Sequence, residues 1–126
     1  MGYVHTDITL ANPRVPAFND LRVTALVDTG ALMLCIPEHV RLQLELEEME
    51  KREVTTADGK RHLAPYVGPI TVRFANRSCF VGALVSGDEV LLGAVPMEDM
   101  DLIVSPSHRR VVVNPDSPKF PHALVK

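Results

Sequence analysis

The sequence lacks the features that mark several common classes of protein. It has only two cysteines, Cys35 and Cys79, both in apolar surroundings. They have no second pair beside them and no histidines at metal-ligand spacing, so the pattern favours reduced thiols in the core. The N-terminus shows no apolar stretch typical of a secretory leader. We therefore expect a cytoplasmic protein without a bound metal or other cofactor.

Charge and apolar patterning argue against two further classes of partner. The net charge is −3 and the basic residues form no stripe, so the electrostatic footprint of nucleic-acid binding is missing. No apolar run approaches the length that spans a bilayer, and no membrane partner is expected. With 126 residues, 46% of them apolar, and no internal repeat, the chain is expected to form one compact domain.

Short apolar segments separated by turn-forming residues predict a fold built mainly of strands. Strands are expected at residues 4–10, 21–28, 70–74, 79–85 and 111–113, and a buried strand or an extended piece at 32–36. One short helix is expected to open at Pro37 and to end near residue 43 or 44. A second is expected from Met97 to Leu102, after Pro96, with acidic residues in its first turn. This arrangement indicates a small closed β-barrel.

Three segments are less regular. Residues 45–52 have an ambiguous periodicity, which also allows a helix that continues to Lys51. Further on, Asp58-Gly59 lies between two β-prone segments, a strong signal for a hairpin. Residues 114–126 contain three prolines and little pattern. We therefore expect residues 1–114 to form the domain, and 115–126 to form a tail or an arm that wraps a partner.

The segment Ala25-Leu26-Val27-Asp28-Thr29-Gly30-Ala31 carries the strongest sign of chemistry. An apolar strand ends in one carboxylate, and Gly30 permits a turn that a residue with a Cβ would resist. Thr29 adds a hydroxyl that can donate or accept a hydrogen bond beside that carboxylate. The tripeptide alone also fits a plain turn in which Asp28 caps its own backbone. Further along, Val90-Leu91-Leu92-Gly93 precedes the second helix.

In this order, the two motifs and the polar hairpin between them resemble the retropepsin-like (retroviral-type, clan AA) aspartic proteases, most closely their short prokaryotic forms. The resemblance covers roughly residues 20–114. It implies an all-β fold, a small closed acid-protease barrel with one or two short helices. For residues 45–52 it favours a short helix, a loop and a strand from about Glu50. The activity it implies is that of an aspartic endopeptidase.

The resemblance also assigns roles to residues. It implies that Asp28 is catalytic and that Thr29, Gly30 and Ala31 support the catalytic loop. It makes Leu91-Leu92-Gly93 the second motif. The hairpin would be a flap that closes over an extended peptide substrate. Its residues are Ala57, Asp58, Gly59 and Lys60. Val27, Leu32, Ala57, Val90 and Leu91 could form walls of substrate pockets, or simply belong to the core.

Aspartic proteases need two carboxylates that share one proton, one to activate water and one to hydrogen-bond the scissile carbonyl. The chain has a single Asp-Thr-Gly, because Asp58-Gly59 lacks the hydroxyl residue and Ser86-Gly87-Asp88 runs in the wrong order. Two chains could supply the pair if Asp28 lies on a twofold axis. The resemblance likewise implies a homodimer, with Thr29 bonding across the axis.

The chain departs from the retroviral pattern at two linked positions. Retroviral enzymes carry an acidic residue and an arginine where this sequence has Leu32 and Ala94. Both charges are missing together, so neither is left unpaired, and a dimer interface must be built differently. The hairpin also lacks a glycine-rich tip. An alternative function on the same fold is a non-catalytic module that binds peptides or assists assembly, in which Asp28 only braces an interface.

Overall fold

The computed structural model describes residues 3–15 and 20–125. Within these residues it has nine strands and two short helices. In chain order they are β1 (Val4–Ala11), β2 (Leu21–Val27), β3 (Leu34–Ile36), α1 (Glu38–Gln43), β4 (Glu48–Thr55), β5 (Arg61–Phe74), β6 (Arg77–Val85), β7 (Val90–Leu92), α2 (Ala94–Asp99), β8 (Leu102–Ser105) and β9 (Arg110–Val113). Strand residues predominate, as predicted.

Six strands close into a barrel. The sheet order is β1-β2-β7-β3-β6-β5-β4, and β1 also pairs with β5. This last pairing joins the two ends of the series from β1 to β5, which leaves β4 as an additional strand on the outer edge of β5. β8 and β9 form a separate antiparallel pair. The predicted closed β-barrel with two short helices is confirmed.

The core follows from the alternation of side chains along the strands. In β1, Ile8 and Leu10 are buried while Thr9 between them is not, as the predicted two-residue period requires. Buried aliphatic side chains from the other strands fill the barrel; they include Leu34, Ile36, Val67, Ile70, Val72, Ala83 and Leu92. The barrel therefore holds a packed hydrophobic interior that can keep the surrounding loops in place.

The helix boundaries differ from those predicted. Pro37 is the N-cap of α1, in an extended conformation, and the helix begins at Glu38. The second helix was expected over Met97–Leu102, which is wrong: α2 begins at Ala94 and ends at Asp99. Pro96 therefore sits within the first turn, where its missing N–H removes no intrahelical bond. The acidic residues predicted for the first turn lie in the last one.

The ambiguous segment 45–52 is mostly strand. β4 begins at Glu48, so the helix continuing to Lys51 is excluded and the strand starts two residues before the expected Glu50. β4 and β5 pair from Glu48↔Val67 to Thr55↔Arg61, so the predicted hairpin is confirmed. Its second arm and the strand predicted at residues 70–74 are one continuous β5.

The residues after β9 return to their own chain. The carboxylate of Asp101 accepts hydrogen bonds from Asn114 Nδ2 (3.0 Å), from Ser117 Oγ and from the backbone N–H of His122 (2.9 Å). Arg77, which is buried, donates to the carbonyl of Ser117. The start of the predicted tail is thus anchored, and Lys126 lies outside the described residues. No helix among those described is long and apolar enough to cross a membrane.

Candidate active site

Asp28 stands at the point where β2 leaves the barrel. Its backbone N–H still bonds to the carbonyl of Leu92 on β7, at 3.1 Å. The next residues turn sharply, since Ala31 N donates to the Asp28 carbonyl (3.0 Å) and Gly30 N to Asp28 Oδ1 (3.0 Å). The carboxylate therefore does cap its own turn, yet the residue is exposed, and Oδ2 has no hydrogen-bond partner among the residues described.

The second motif holds this loop from the other side. β7 runs parallel to β2 in the register Val27↔Leu92. The first two N–H groups of α2, which no intrahelical carbonyl can satisfy, donate back to the Asp28 loop: Ala94 N to Ala31 O at 2.9 Å and Val95 N to Leu32 O at 2.8 Å. The two motifs predicted from the sequence are therefore joined by backbone hydrogen bonds.

Gly93 makes this crossing possible. A Cβ on Gly93 would lie 2.8 Å from the carbonyl oxygen of Ala31 and would also collide with the carbonyl of Met33. These are backbone atoms of the loop that carries Asp28, so they have little freedom to retreat. The glycine at this position is required by close approach of two backbones rather than by its φ angle.

The β4–β5 hairpin turns through three residues. Thr56 N bonds to Lys60 O at 3.0 Å and Gly59 N to Thr56 O at 2.9 Å, while Gly59 has a φ of +82°. This is the three-residue hairpin with a left-handed glycine rather than a two-residue turn. Asp58 Oδ1 accepts from Lys60 N at 3.0 Å, and the hydrogen bonds to this carboxylate, first that of Thr56, lower the pKa of Asp58.

A cleft of about 740 Å³ joins the Asp28 loop to this hairpin. One side is formed by Asp28 and residues 30–33, and the opposite side by residues 52–57 of β4 and the hairpin. Cys35, Leu84, Ser86 and Leu91 complete the lining. An exposed carboxylate thus faces a mostly apolar groove that an extended segment of chain could enter.

The cleft brings together only part of the predicted set. Asp28, Gly30, Ala31, Ala57 and Leu91 line it. Leu92 and Gly93 contribute through the backbone, from behind the loop. Thr29, Asp58, Gly59 and Lys60 are exposed but are not among the lining residues. Of the five candidates for pocket walls, three are in the lining: Leu32, Ala57 and Leu91.

Several other residues of the lining were not predicted from the sequence. Met33 and Cys35 follow the Asp-Thr-Gly-Ala motif and could have been found by its proximity. Arg52, by contrast, comes from β4, Leu84 from the end of β6 and Ser86 from the residue after it, and no sequence signal marked them. Val27 and Val90, both proposed as walls, do not line the cleft, and Val90 is a core residue.

Two side chains of the cleft lining, Cys35 and Glu53, interact with neighbouring charges. Burial, and secondarily the nearby Asp28 carboxylate, raises the pKa of the Cys35 thiol. Glu53, the other carboxylate of the lining, pairs with Arg61 at 3.7 Å on the exposed side of the hairpin. No group of three or more His, Cys, Asp or Glu among the described residues could hold a metal ion.

The chain shares features with known proteins. A family model for aspartyl proteases matches residues 15–79. The fold resembles EIAV protease complexed with the inhibitor HBY-793, with 18% identity, a TM-score of 0.58, and coverage of 78% of this chain and 88% of that chain. No curated protein matches the sequence.

Two further solved structures are similar at lower TM-scores. A retropepsin-like aspartic protease from Rickettsia conorii has 16% identity and a TM-score of 0.49, over 83% of this chain and 89% of that one. The solution structure of the protease of simian foamy virus (mac) has 19% identity and a TM-score of 0.46, over 73% and 91%. Because the family match spans just over half of the sequence and includes the Asp-Thr-Gly turn, the chain belongs to the aspartyl protease family and is an aspartic-type endopeptidase.

Proposed function

We propose that Asp28 is the catalytic residue and that the active enzyme is a homodimer, in which Asp28 of each subunit supplies half of an aspartic dyad. The observation that supports this most is the position of Asp28. Its exposed carboxylate faces the cleft from a loop fastened by backbone hydrogen bonds to β7 and α2. The other carboxylate in the described lining, Glu53, is paired with Arg61. A second Asp28 therefore has to come from a second chain.

The proposed mechanism is water attack without a covalent intermediate. Two carboxylates about 3 Å apart share one proton, because like charges at that distance cannot both ionise. The ionised member accepts a proton from water, and the protonated member donates a hydrogen bond to the scissile carbonyl. The attacking water forms a tetrahedral intermediate, and a proton then passes to the leaving nitrogen as the peptide bond breaks. The proposed mechanism assigns no role to a metal or other cofactor.

The remaining site residues have supporting roles in this proposal. Thr29 is exposed beside Asp28 and would hydrogen-bond across the twofold axis. Gly30 and Ala31 leave room for substrate backbone. The second motif, Leu91-Leu92-Gly93, fixes the loop from behind. The hairpin from Ala57 through Asp58 and Gly59 to Lys60 acts as the flap, with the substrate bound as an added extended strand.

An apolar dimer contact fits the absence of the charged residues found in retroviral enzymes. Leu32 is 66% exposed beside the Asp28 loop, and Val95, whose N–H bonds to Leu32 O, is 39% exposed. Burying such side chains on association is favourable by about 25 cal/mol per Å² of apolar surface. We therefore place these residues in the interface between subunits.

Location and domain extent are also proposals. Two free thiols support function in a reducing compartment such as the cytoplasm. We assign the protease domain to residues 1–114, with residues 115–126 as a C-terminal segment. Its anchoring through Asp101 supports a role in covering its own subunit.

The decisive experiment replaces the proposed catalytic group without disturbing its turn. Asp28→Asn keeps the Oδ1 that accepts the Gly30 N–H, so the fold should persist while peptide cleavage falls by at least about a thousandfold. Asp88→Asn is the matched control: it is also an exposed aspartate in a turn with a glycine, but it lies outside the cleft. Cleavage of a peptide library should be measured from about pH 3 to 7, the range in which a carboxylate pair shares a proton.

The outcomes separate the candidate functions. Retained cleavage by the Asp28→Asn variant would show that another group is catalytic. A wild-type protein that dimerises and binds peptides but cuts none of them would favour the non-catalytic module. Sedimentation of the wild-type protein tests the dimer directly, since a protein that stays monomeric at every concentration could not form the proposed dyad.

A further inference from the structure

Arg52 is the cation among the described residues that line the Asp28 cleft. We infer that it forms a substrate subsite selective for an acidic side chain, Glu or Asp, of the bound peptide. This inference rests on the proposed function, because it assumes that the cleft binds peptide, and it adds a substrate class to it. Arg52 lies on the half-buried face of β4, and its guanidinium stacks on an aromatic ring. Some of its N–H groups have no hydrogen-bond partner among the residues described.

The strand alternation turns Arg52 toward the cleft. Along β4 and into the hairpin, Arg52, Val54 and Thr56 are half-buried, whereas Glu53 and Thr55 are exposed. Successive side chains of a strand point to opposite faces. Glu53 accordingly reaches outward to Arg61, whereas Arg52 lies on the half-buried face of the strand and also lines the cleft. The wall that faces Asp28 therefore carries a positive charge from Arg52.

The guanidinium of Arg52 is held by stacking. It lies 3.7 Å from the centre of the Tyr66 ring on β5, a cation–π contact. The ring in turn lies against Gly82 of β6, where a Cβ would overlap it. A glycine inside a strand often marks such a close approach. The three residues form a stack of backbone, ring and guanidinium that fixes the plane of the charged group.

The hydrogen bonds of Arg52 do not use all the N–H groups of its guanidinium. Nε donates to Glu50 Oε2 at 3.0 Å, in an ion pair that engages one edge of the guanidinium. Nη1 points to the Met33 sulfur at 3.7 Å, a weak acceptor. Nη2 has no hydrogen-bond partner among the residues described. The end of the guanidinium, Nη1 and Nη2, is thus available to a carboxylate, whose two oxygens match this spacing.

Preorganisation strengthens this contact, and the charge of Arg52 makes it selective. An arginine that is already stacked loses less side-chain entropy when it binds a carboxylate than a free one does. The same lining holds the apolar side chains of Met33, Leu84 and Leu91 beside the carboxylates of Asp28 and Glu53. A neutral amide in place of the acid would gain less from the charge, so a substrate side chain at this point should be Glu or Asp.

The test measures, by cleavage of a peptide library, which side chains the enzyme prefers at each position around the scissile bond. The wild-type enzyme should enrich Glu and Asp about tenfold at one position near that bond, and Arg52→Gln should remove the enrichment. Arg52→Glu should replace it with Lys and Arg. Lys51→Gln is the matched control, since Lys51 is the adjacent cation on the same strand, exposed, paired with Glu48 and outside the lining; it should retain the wild-type profile.

Further variants keep the test decisive if one of these fails to fold. Arg52→Lys retains the positive charge but not the planar guanidinium that can donate two parallel hydrogen bonds. It should keep a weaker preference for Glu and Asp. Tyr66→Leu retains Arg52 but removes its platform, and should also weaken the preference. Melting temperatures identify misfolded variants. Equal profiles for wild type and every folded Arg52 variant, or no acidic preference in the wild type, would overturn the inference.

A binding assay separates this inference from the proposed function. In the Asp28→Asn background, two peptides that differ by one Glu→Gln change should differ about tenfold in Kd, and addition of Arg52→Gln should abolish that difference. If the wild-type enzyme cuts no peptide, the proposed function fails although this binding difference can still be measured. If it cuts peptides without regard to acidic residues, only the subsite is wrong.

Discussion

At the scale of single residues, Asp28 combines two roles that a sequence reader would treat as alternatives. One carboxylate oxygen caps the turn through Gly30 N–H, and the exposed carboxylate also faces the cleft. A turn that uses the proposed catalytic group as its own cap holds that group in one orientation without additional residues. The same carboxylate also acts on a neighbour, since its negative charge contributes to the raised pKa of Cys35.

Asp28→Asn should therefore speed alkylation of Cys35. Burial still disfavours the thiolate, but removal of the nearby negative charge lowers the thiol pKa and increases the thiolate fraction, so we expect about a two- to threefold faster reaction at mildly alkaline pH. Mass spectrometry after iodoacetamide labelling gives the rate for each cysteine.

Cys79 is the internal control for this labelling. Burial, with a smaller contribution from Asp99, raises its pKa to about 12, and it lies away from the cleft lining. Its slow reaction should be the same in both proteins. An unchanged Cys35 rate, or an equal acceleration of both cysteines, would show that Asp28 does not act on Cys35 through its charge.

At the scale of elements, the site depends on the crossing between the Asp28 loop and the β7–α2 connection. Neither segment forms the site alone: the loop supplies carbonyls, and the start of α2 supplies N–H groups that a helix cannot use itself. Gly93 sets the distance between them. Steric room at one backbone position thereby controls the placement of a carboxylate on another element.

Gly93→Ala should destabilise the protein by about 3 kcal/mol, because the added methyl meets backbone atoms that cannot move aside. Gly87→Ala is the control. Gly87 has a φ of +78° and no atom near its would-be Cβ, so only the left-handed conformation is penalised, by about 1 kcal/mol. Urea unfolding measures both. Equal losses for the two variants would mean that the loop can shift to accommodate the methyl.

The hydrogen bonds to Asp101 should stabilise the protein at neutral pH and lose this effect in strong acid. Hydrogen bonds from Ser117, Asn114 and the His122 backbone lower the pKa of Asp101 from 3.8 to about 2. A carboxylate with a depressed folded-state pKa stabilises the protein above its unfolded value, and that stabilisation is lost as pH falls toward the folded value. Asp101→Asn should therefore lower the melting temperature at neutral pH, and by less below pH 3.8.

The pH series contains the check on this prediction. The difference in melting temperature between wild type and Asp101→Asn should be constant above about pH 5 and should have nearly disappeared at about pH 2. A difference that is the same at every pH would show that the charge of Asp101 does not contribute. Asp116→Asn, a change in the same segment at an exposed residue, should show little difference at any pH.

At the scale of the whole molecule, the proposed activity needs a second copy, and the barrel presents an apolar surface beside Asp28 where retroviral enzymes have charges. Leu32→Glu places a carboxylate in that surface, and we expect the dimer dissociation constant to rise by at least about tenfold, because the charge would be desolvated without a partner. Sedimentation measures association directly, which matters because Leu32 also lines the cleft.

Leu42→Glu is the control for this change. Leu42 is also an exposed leucine, 61% against 66% for Leu32, but it lies on α1 and outside the cleft lining. The Leu42 variant should associate like the wild type. If both variants associate equally well, the contact between subunits lies elsewhere.

By itself, the sequence determined most of the strands, the hairpin, the closed barrel and the two motifs, whereas β7 and β8 were not predicted as strands. Each depends on local chemistry: alternation in β1, Asp58-Gly59 in a tight turn, and one carboxylate at the end of an apolar strand. The predicted start of α2 was wrong. Its first N–H groups donate to carbonyls from another part of the chain, and no capping side chain marks this helix start in the sequence.

Only the tertiary structure decided how these parts meet. It placed Gly93 against the Asp28 loop, the Tyr66 ring against Gly82, and Arg52 over that ring in the cleft wall. These contacts join residues far apart in the chain, and their geometry depends on the register of strands around a closed barrel. The periodicity of one segment carries no information about that register. The cleft, and the position of Arg52 in its wall, could therefore be identified only from the tertiary structure.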